Sequence, residues 1–190
     1  GLEQTILLIR IGALRFTGYS KAILMWRAHL LINKNKKEIT TNQLFPAQVK
    51  KYELPKLEYN VLEDVFDEIE ILEFPVSLSY FDLLQTEFRG KFKACDFSNH
   101  VGKTLRIIGQ LVTIKYVRTI KKELMHFGTF LDIDGEFFDT VHFPNSLKNY
   151  PFTGYGVYLI LGRVTEEFGF ASITVEKLAK LPIKADPRYS

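Results

Sequence analysis

Nine side chains in the C-terminal half of this chain have the types and spacing to hold a polyanion: Lys115, Tyr116, Arg118, Lys121, Lys122, His126, Phe138, His142 and Arg163. Cations neutralise phosphates and planar rings stack on bases, so the two interleaved form the composition of a single-strand nucleic-acid surface. Lys115, Arg118, Lys121 and Lys122 fall within eight residues, whereas Thr104 to Leu181 as a whole holds nine Lys/Arg against eight Asp/Glu. Basic charge is therefore concentrated at one place in a nearly neutral region. For His126 and His142 the competing reading is a solvated surface histidine, and for the charge cluster a soluble hairpin tip. Phe130 is read as core, because large aromatics fill small barrels.

Metal-dependent or nucleophilic chemistry finds no comparable set. Two-metal catalysis needs clustered carboxylates around ions about 4 Å apart. The Asp-x-Asp here, Asp132-Ile133-Asp134, stands just before Gly135, where Asp is favoured for hydrogen bonds to its own backbone, so it is read as a turn. There is no Gly-rich phosphate loop, nucleophile elbow or Cys/His couple, and His29, His100, His126 and His142 lack zinc-ligand spacing. The expectation is a catalytically silent chain with no metal site and no cofactor.

These residues need elements to position them, and the alternation around them predicts strands. Leu105 to Val117, Met125 to Leu131 and Glu136 to Pro144 are three β runs, the last two joined by the Asp-Ile-Asp-Gly turn. Asn145 to Pro151 reads as a short helical connector capped by Asn145 or Ser146. Gly156 to Val164 and Phe170 to Glu176 follow as two more strands, with Gly109 and Gly162 expected at bulges or corners. Three strands, a helix and two strands is the order of an OB-fold, a five-stranded barrel whose central strands and flanking loops bind oligonucleotides. The fold class is thus mainly β with α, a five-stranded OB-fold barrel preceded by a short helical region.

Upstream, helices are expected over Glu3 to Arg15 and Lys21 to about Ile32, the second capped by Ser20. A third, Asn60 to Glu73, sets Val61, Leu62, Val65, Phe66, Ile69 and Leu72 against an all-acidic opposite side of Glu63, Asp64, Asp67, Glu68, Glu70 and Glu73. Such an acidic face repels phosphate, so a DNA path is expected elsewhere. The organisation reads as a helical hairpin over 1–35, a Lys- and Pro-containing linker over 36–58, a helical connector over 59–103, the barrel over 104–181 and a tail over 182–190.

At 190 residues with 46% hydrophobic and 14% aromatic content, disorder is excluded, and a net charge of +3 is too small to argue nucleic-acid binding by itself. The single Cys95 forbids an intramolecular disulfide and fits a reducing compartment. Apolar runs fall far short of the ~20 residues that span a bilayer. Arg10 and Arg15 interrupt what would be a signal peptide, so a cytoplasmic location is expected.

The order of pieces resembles the C-terminal region of the bacterial DNA polymerase III alpha subunit family. Leu8-Ile9-Arg10-Ile11-Gly12-Ala13-Leu14 followed by Ser20-Lys21-Ala22-Ile23-Leu24 is similar to the close of its tandem helix-hairpin-helix domain, and Glu70 to Leu78 to its connector into the OB domain. Met125, Phe127, Thr129, Asp132, Gly135, Phe143 and Pro144 resemble its second-to-third strand signature, and Gly162-Arg163-Val164 its fourth strand. Lys121-Lys122-Glu123-Leu124 departs from the family's usual Gly-Lys-Pro hairpin, and Leu131 replaces a common acidic residue.

The resemblance implies a non-catalytic piece of a DNA-directed DNA polymerase, a nucleotidyltransferase that uses Mg²⁺ elsewhere. This piece would hold single-stranded DNA template on the barrel during replication. It also implies a sliding-clamp-binding peptide in the linker, at Thr41, Gln43, Leu44 and Phe45, with Thr41 where the family has Gln. Two alternatives from other classes are an OB-fold protein-interaction module within a replication or repair complex, and an RNA-binding OB module.

Overall fold

The computed structural model describes residues 1–32 and 60–189. It divides into two compact units, Gly1–Leu78 with Ala185–Ser190, and Ser79–Lys184. The linker positions Thr41, Gln43, Leu44 and Phe45 lie outside the described residues.

The first unit holds α1 (Leu2–Arg10), α2 (Lys21–Ile32) and α3 (Val61–Leu72). The sequence predicts a first helix reaching Arg15. It ends at Arg10 because Gly12 takes a left-handed φ of 74°, and Arg15–Thr17 forms only a 3-10 turn closed by Gly18. α3 begins where expected, the Asn60 side chain accepting the Leu62 N–H at 3.0 Å.

The expected orientation of α3 is corrected. Asp64, Asp67 and Glu68 of its acidic side are buried along with Val65, while Val61 is exposed and Leu62, Phe66, Ile69 and Leu72 are half-buried. Four cations distant in sequence meet those carboxylates. Arg10 reaches Asp67 at 2.6 Å, Lys21 reaches Asp64 and Asp67 at 2.8 Å each, Arg15 reaches Glu68 at 2.6 Å and Arg188 reaches Asp67 at 2.7 Å. Burial of charge is tolerated only where pairing and hydrogen bonding are this complete. Periodicity reports how apolar a helix face is, and it carries no information about cations arriving from other parts of the chain.

The second unit holds β1 (Thr104–Arg118), β2 (Leu124–Leu131), β3 (Phe137–His142), α4 (Pro144–Asn149), β4 (Val157–Glu167) and β5 (Phe170–Lys180). They close into a barrel in the order β1-β2-β3-β5-β4. The first half of β1 pairs with β4 and its second half with β2, and a short parallel contact, Thr140 with Ile173 and Val141 with Thr174, closes the ring. With α4 between β3 and β4, this is the OB-fold. The expected side-chain cap of α4 is absent: Phe143 is the N-cap and Pro144 opens the helix, so Ser146 is buried inside it instead.

Inward positions alternate to form the core, with Leu111, Phe130, Phe138, Tyr158 and Ile160 at its centre and Phe97 of the 3-10 helix Ala94–His100 packed against Phe138. Gly162 sits at a register shift between β4 and β5, as expected of a bulge. Gly109 does not. Its role is clearance, since a Cβ there would stand 2.5 Å from Phe138 Cζ. The outer side of β1 and β4 is covered by Phe81 and Leu84, which pack on Ile108 and Val157. That segment is tied down by the Leu84 bridge to Ile183 and by Lys184 N–H donating to Leu83 O at 2.7 Å. Among the described residues, Phe127 of β2 and Phe137 and Asp139 of β3 stay exposed on the outer side of those strands.

Candidate nucleic-acid interface

Alternation assigns every side chain of β2 and β3 to one of two faces, and buried Phe130 fixes which face is inside. Gly128 and Phe130 of β2, with Phe138, Thr140 and His142 of β3, point into the barrel. Phe127, Thr129 and Leu131 of β2, with Phe137, Asp139 and Val141 of β3, therefore line the outside. Register arranges them in rows about 7 Å apart along the strands. Phe127 stands beside Val141, Thr129 beside Asp139 and Leu131 beside Phe137, with Lys115 of β1 beside Phe127.

Two hairpins bound this face. At the Phe127 end the β1–β2 hairpin carries Arg118, Lys121 and Lys122, all exposed, with Lys122 at a left-handed φ of 61° that sharpens the turn. At the Phe137 end stands the β4–β5 hairpin. Phe170 lies three residues before buried Ile173, as Phe137 lies three before Ile173's partner Thr140, so alternation turns both rings outward. Phe168 at the tip is fully exposed and Phe170 is 80% exposed. Charge follows the same axis in part: cations gather at the first hairpin, while Asp134, Glu136, Glu166 and Glu167 lie in the turns at the second end, Asp134 paired with Lys93 at 2.6 Å.

Of the nine expected contact residues, Lys115, Tyr116, Arg118, Lys121 and Lys122 are exposed and share the first hairpin. Tyr116 stands edge-on to half-buried His126, ring centroids 4.6 Å apart. With Phe152 and Tyr155, Tyr116 also lines a groove of about 270 Å³ beneath that hairpin. Phe138 and His142 are corrected. Both are buried in the barrel, so neither touches a strand laid on the outer face. Arg163 is exposed on the same ring of positions, reached from Val141 through Thr174, but β4 lies two strands round a five-stranded barrel from β3. There its Nε donates to the Gly102 carbonyl at 3.0 Å.

His142 shows how strongly burial acts. The Thr140 hydroxyl donates to the Gly128 carbonyl at 2.9 Å, so the Thr140–His142 contact, also 2.9 Å, must be donation from His142 Nε2. His142 Nδ1 is then an acceptor with no partner. Desolvation, aided by nearby His126, lowers the His142 pKa to about 4. Burial lowers that of His126 as well.

The carboxylates of the Asp132-Ile133-Asp134 turn are engaged by backbone N–H groups and by Lys93, which pairs with Asp134 at 2.6 Å. Asp132 Oδ1 accepts the N–H groups of Asp134 and Glu136, and Oδ2 accepts that of Ala94, all at 2.9 Å. Among the described residues no group of three His, Cys, Asp or Glu side chains is placed to hold a metal ion, and no helix is long and apolar enough to cross a membrane.

No family model and no curated protein matches the chain. Solved structures align with the barrel. An OBody bound to hen egg-white lysozyme aligns over 53% of this chain and 99% of its own at 14% identity, TM-score 0.40. The mitochondrial single-stranded DNA binding protein from S. cerevisiae covers 44% of this chain and 97% of its own at 10% identity, TM-score 0.35. The second OB-fold domain of replication protein A from Methanococcus maripaludis covers 45% and 90% at 11% identity, TM-score 0.33. Likenesses this distant carry no functional argument, and the fold rests on the closed barrel itself.

Sequence reasoning did not single out the outward placement of Phe137, Phe168, Phe170 or Asp139. For Phe137 and Asp139 the signal was present in the alternation, once Phe130 is placed in the core and β3 is set in register against β2; for Phe168 and Phe170 it was not.

Proposed function

We propose that the barrel binds single-stranded DNA along the outer face of β2 and β3. The observation that carries this reading is that, among the described residues, Phe127, Phe137 and Phe170 stand exposed on the outward side of their strands, with the Lys115, Arg118, Lys121 and Lys122 hairpin beside Phe127. Aromatic side chains left in water lose the stabilisation that burial would supply, and stacked bases restore it. The basic hairpin supplies the phosphate contacts.

In the fuller form of the proposal, the chain is the non-catalytic C-terminal part of a DNA polymerase III alpha-like subunit. The α1–α2 hairpin would then be the end of a helix-hairpin-helix domain, the barrel would hold template, and Mg²⁺ chemistry would reside elsewhere in the parent. The supporting observations are the ordered motif matches from Leu8 to Val164 and a barrel placed after a helical unit. Leu44 and Phe45 would anchor the linker in an apolar pocket of the sliding clamp. A peptide covering residues 38–48 is expected to bind the clamp weakly, and the L44A/F45A pair to abolish that binding. Equal binding of the two peptides would remove the clamp from the proposal.

The acids around Phe137 and Phe170 favour a second reading, an apolar and acidic surface that docks a basic protein. Titration of a labelled single strand, with duplex DNA and an RNA stem-loop as competitors, separates the possibilities. The DNA reading expects preference for the single strand and steep weakening with salt. Preference for the stem-loop would replace DNA by RNA, and absence of nucleic-acid binding at low salt would leave protein docking.

A further inference from the structure

The middle of the outer face holds a carboxylate where a phosphate-binding surface would place a cation. Asp139 is exposed on β3, directly beside Thr129 of β2, in the row between the Phe127 row and the Phe137 row. Thr129 Oγ1 donates to Asp139 Oδ1 at 2.7 Å, holding that oxygen across the strand pair. That bond uses one of about four lone-pair sites on a carboxylate. Among the described residues no ion pair or hydrogen bond engages Oδ2. An acceptor-only carboxylate, with Phe127 in the row on one side and Phe137 in the row on the other, repels phosphate and attracts a donor.

We propose that Asp139 reads the Watson–Crick edge of a guanine in the bound strand. This rests on the single-strand reading of the face and deepens it. Guanine presents two adjacent donors, N1–H and the N2 amine, which match the two oxygens of a carboxylate. Cytosine and adenine each present one amine beside an unprotonated ring nitrogen, which repels the second oxygen. Thymine presents one N–H between two carbonyl oxygens. The order of preference is guanine, then cytosine and adenine, then thymine.

Row spacing supports the placement. Rows about 7 Å apart do not match a stacked strand at about 3.4 Å per nucleotide, but they suit one whose bases are splayed. Such a strand can lay its outer bases on Phe127 and Phe137 and turn the middle one edge-on to Asp139, the mode by which single strands are read.

The test uses the full chain and a short labelled oligothymidine with one central position varied. Replacing that thymine by guanine is expected to tighten binding by about tenfold, near the lower end of discrimination for a bidentate base contact. Deoxyinosine, which keeps N1–H and lacks the amine, should lose most of the gain. The variant D139N still accepts from Thr129 and so preserves the fold, but should bind the guanine and thymine strands alike. Tight binding with no guanine preference would overturn the assignment while leaving the face as a single-strand site. Guanine preference that survives in D139N would move the reader to another residue. No binding of any single strand by the wild-type chain would overturn the underlying reading of the face.

Discussion

Protonating His142 would place an uncompensated charge inside the barrel, because Nδ1 has no acceptor and the ring is fully buried. Its pKa is lowered from 6.5 to about 4, so the unfolded chain takes up a proton first as pH falls through 6.5. Stability is therefore highest above pH 6.5 and is lost progressively down to about pH 4. The full loss is about 3 kcal/mol, from roughly 1.4 kcal/mol for each pKa unit. Melting temperatures of the wild type are expected to fall over that window, and those of H142L to fall less. Parallel pH profiles would show that the histidine does not control it. Gly162 makes a complementary prediction about space. A Cβ there would meet the Thr174 carbonyl oxygen and stand 2.5 Å from Ile173 Cγ2. G162A should cost about 1–3 kcal/mol in urea unfolding, the range for overpacking, and a neutral result would mean that the bulge can shift.

At the scale of elements, the paired strands β2 and β3 decide what the barrel can touch. Stacking of a base on an exposed ring is worth about 1–3 kcal/mol, so F137A and F170A should each weaken single-strand binding by that order. Neither should alter the salt slope much, because stacking releases few counterions. F138A should act differently, by lowering stability, since that ring is core. The strands themselves were legible because apolar and polar residues alternate from Thr104 to Lys180, and the turn was legible because Asp132 and Gly135 have local jobs. The proposed binding face was half legible. In Phe137-Phe138 either ring could point outward, and only the register of β3 against β2 decides between them. Phe168 and Phe170 escape a sequence reading because a hairpin tip is read first for its glycine. The orientation of α3 was not legible at all, since Arg10, Lys21 and Arg188 reach it from positions that no local pattern connects.

At the scale of the whole molecule, the two units answer acid through different groups. Glu68 is buried, a position that raises a carboxyl pKa, but the Ser77 hydroxyl, the Ser77 and Val76 N–H groups and Arg15 outweigh this and hold it down to about 2. Its contribution is present above the ordinary value of 4.5 and is lost as pH falls toward 2. The barrel should thus weaken between pH 6.5 and 4, and the helical unit only below about 4.5. Trp26, the single tryptophan, reports on the helical unit, while the strand band of the amide I infrared spectrum follows the barrel, which holds β1 to β5. Thermal melts at pH 7 and pH 5 should show the strand signal shifting more than the Trp26 signal, and equal shifts would contradict separate titration. Single-stranded DNA is proposed to lie on the outer face of β2 and β3, entered from the basic hairpin. That claim is tested most directly by affinity measured against salt for the wild type and for K115Q/R118Q/K121Q/K122Q. Removing one phosphate interaction should flatten the logarithmic salt slope by about 0.7, to a maximum of roughly 2.8 for all four. The account predicts weaker binding and a flatter slope in the folded variant, whereas unchanged affinity and slope would contradict it.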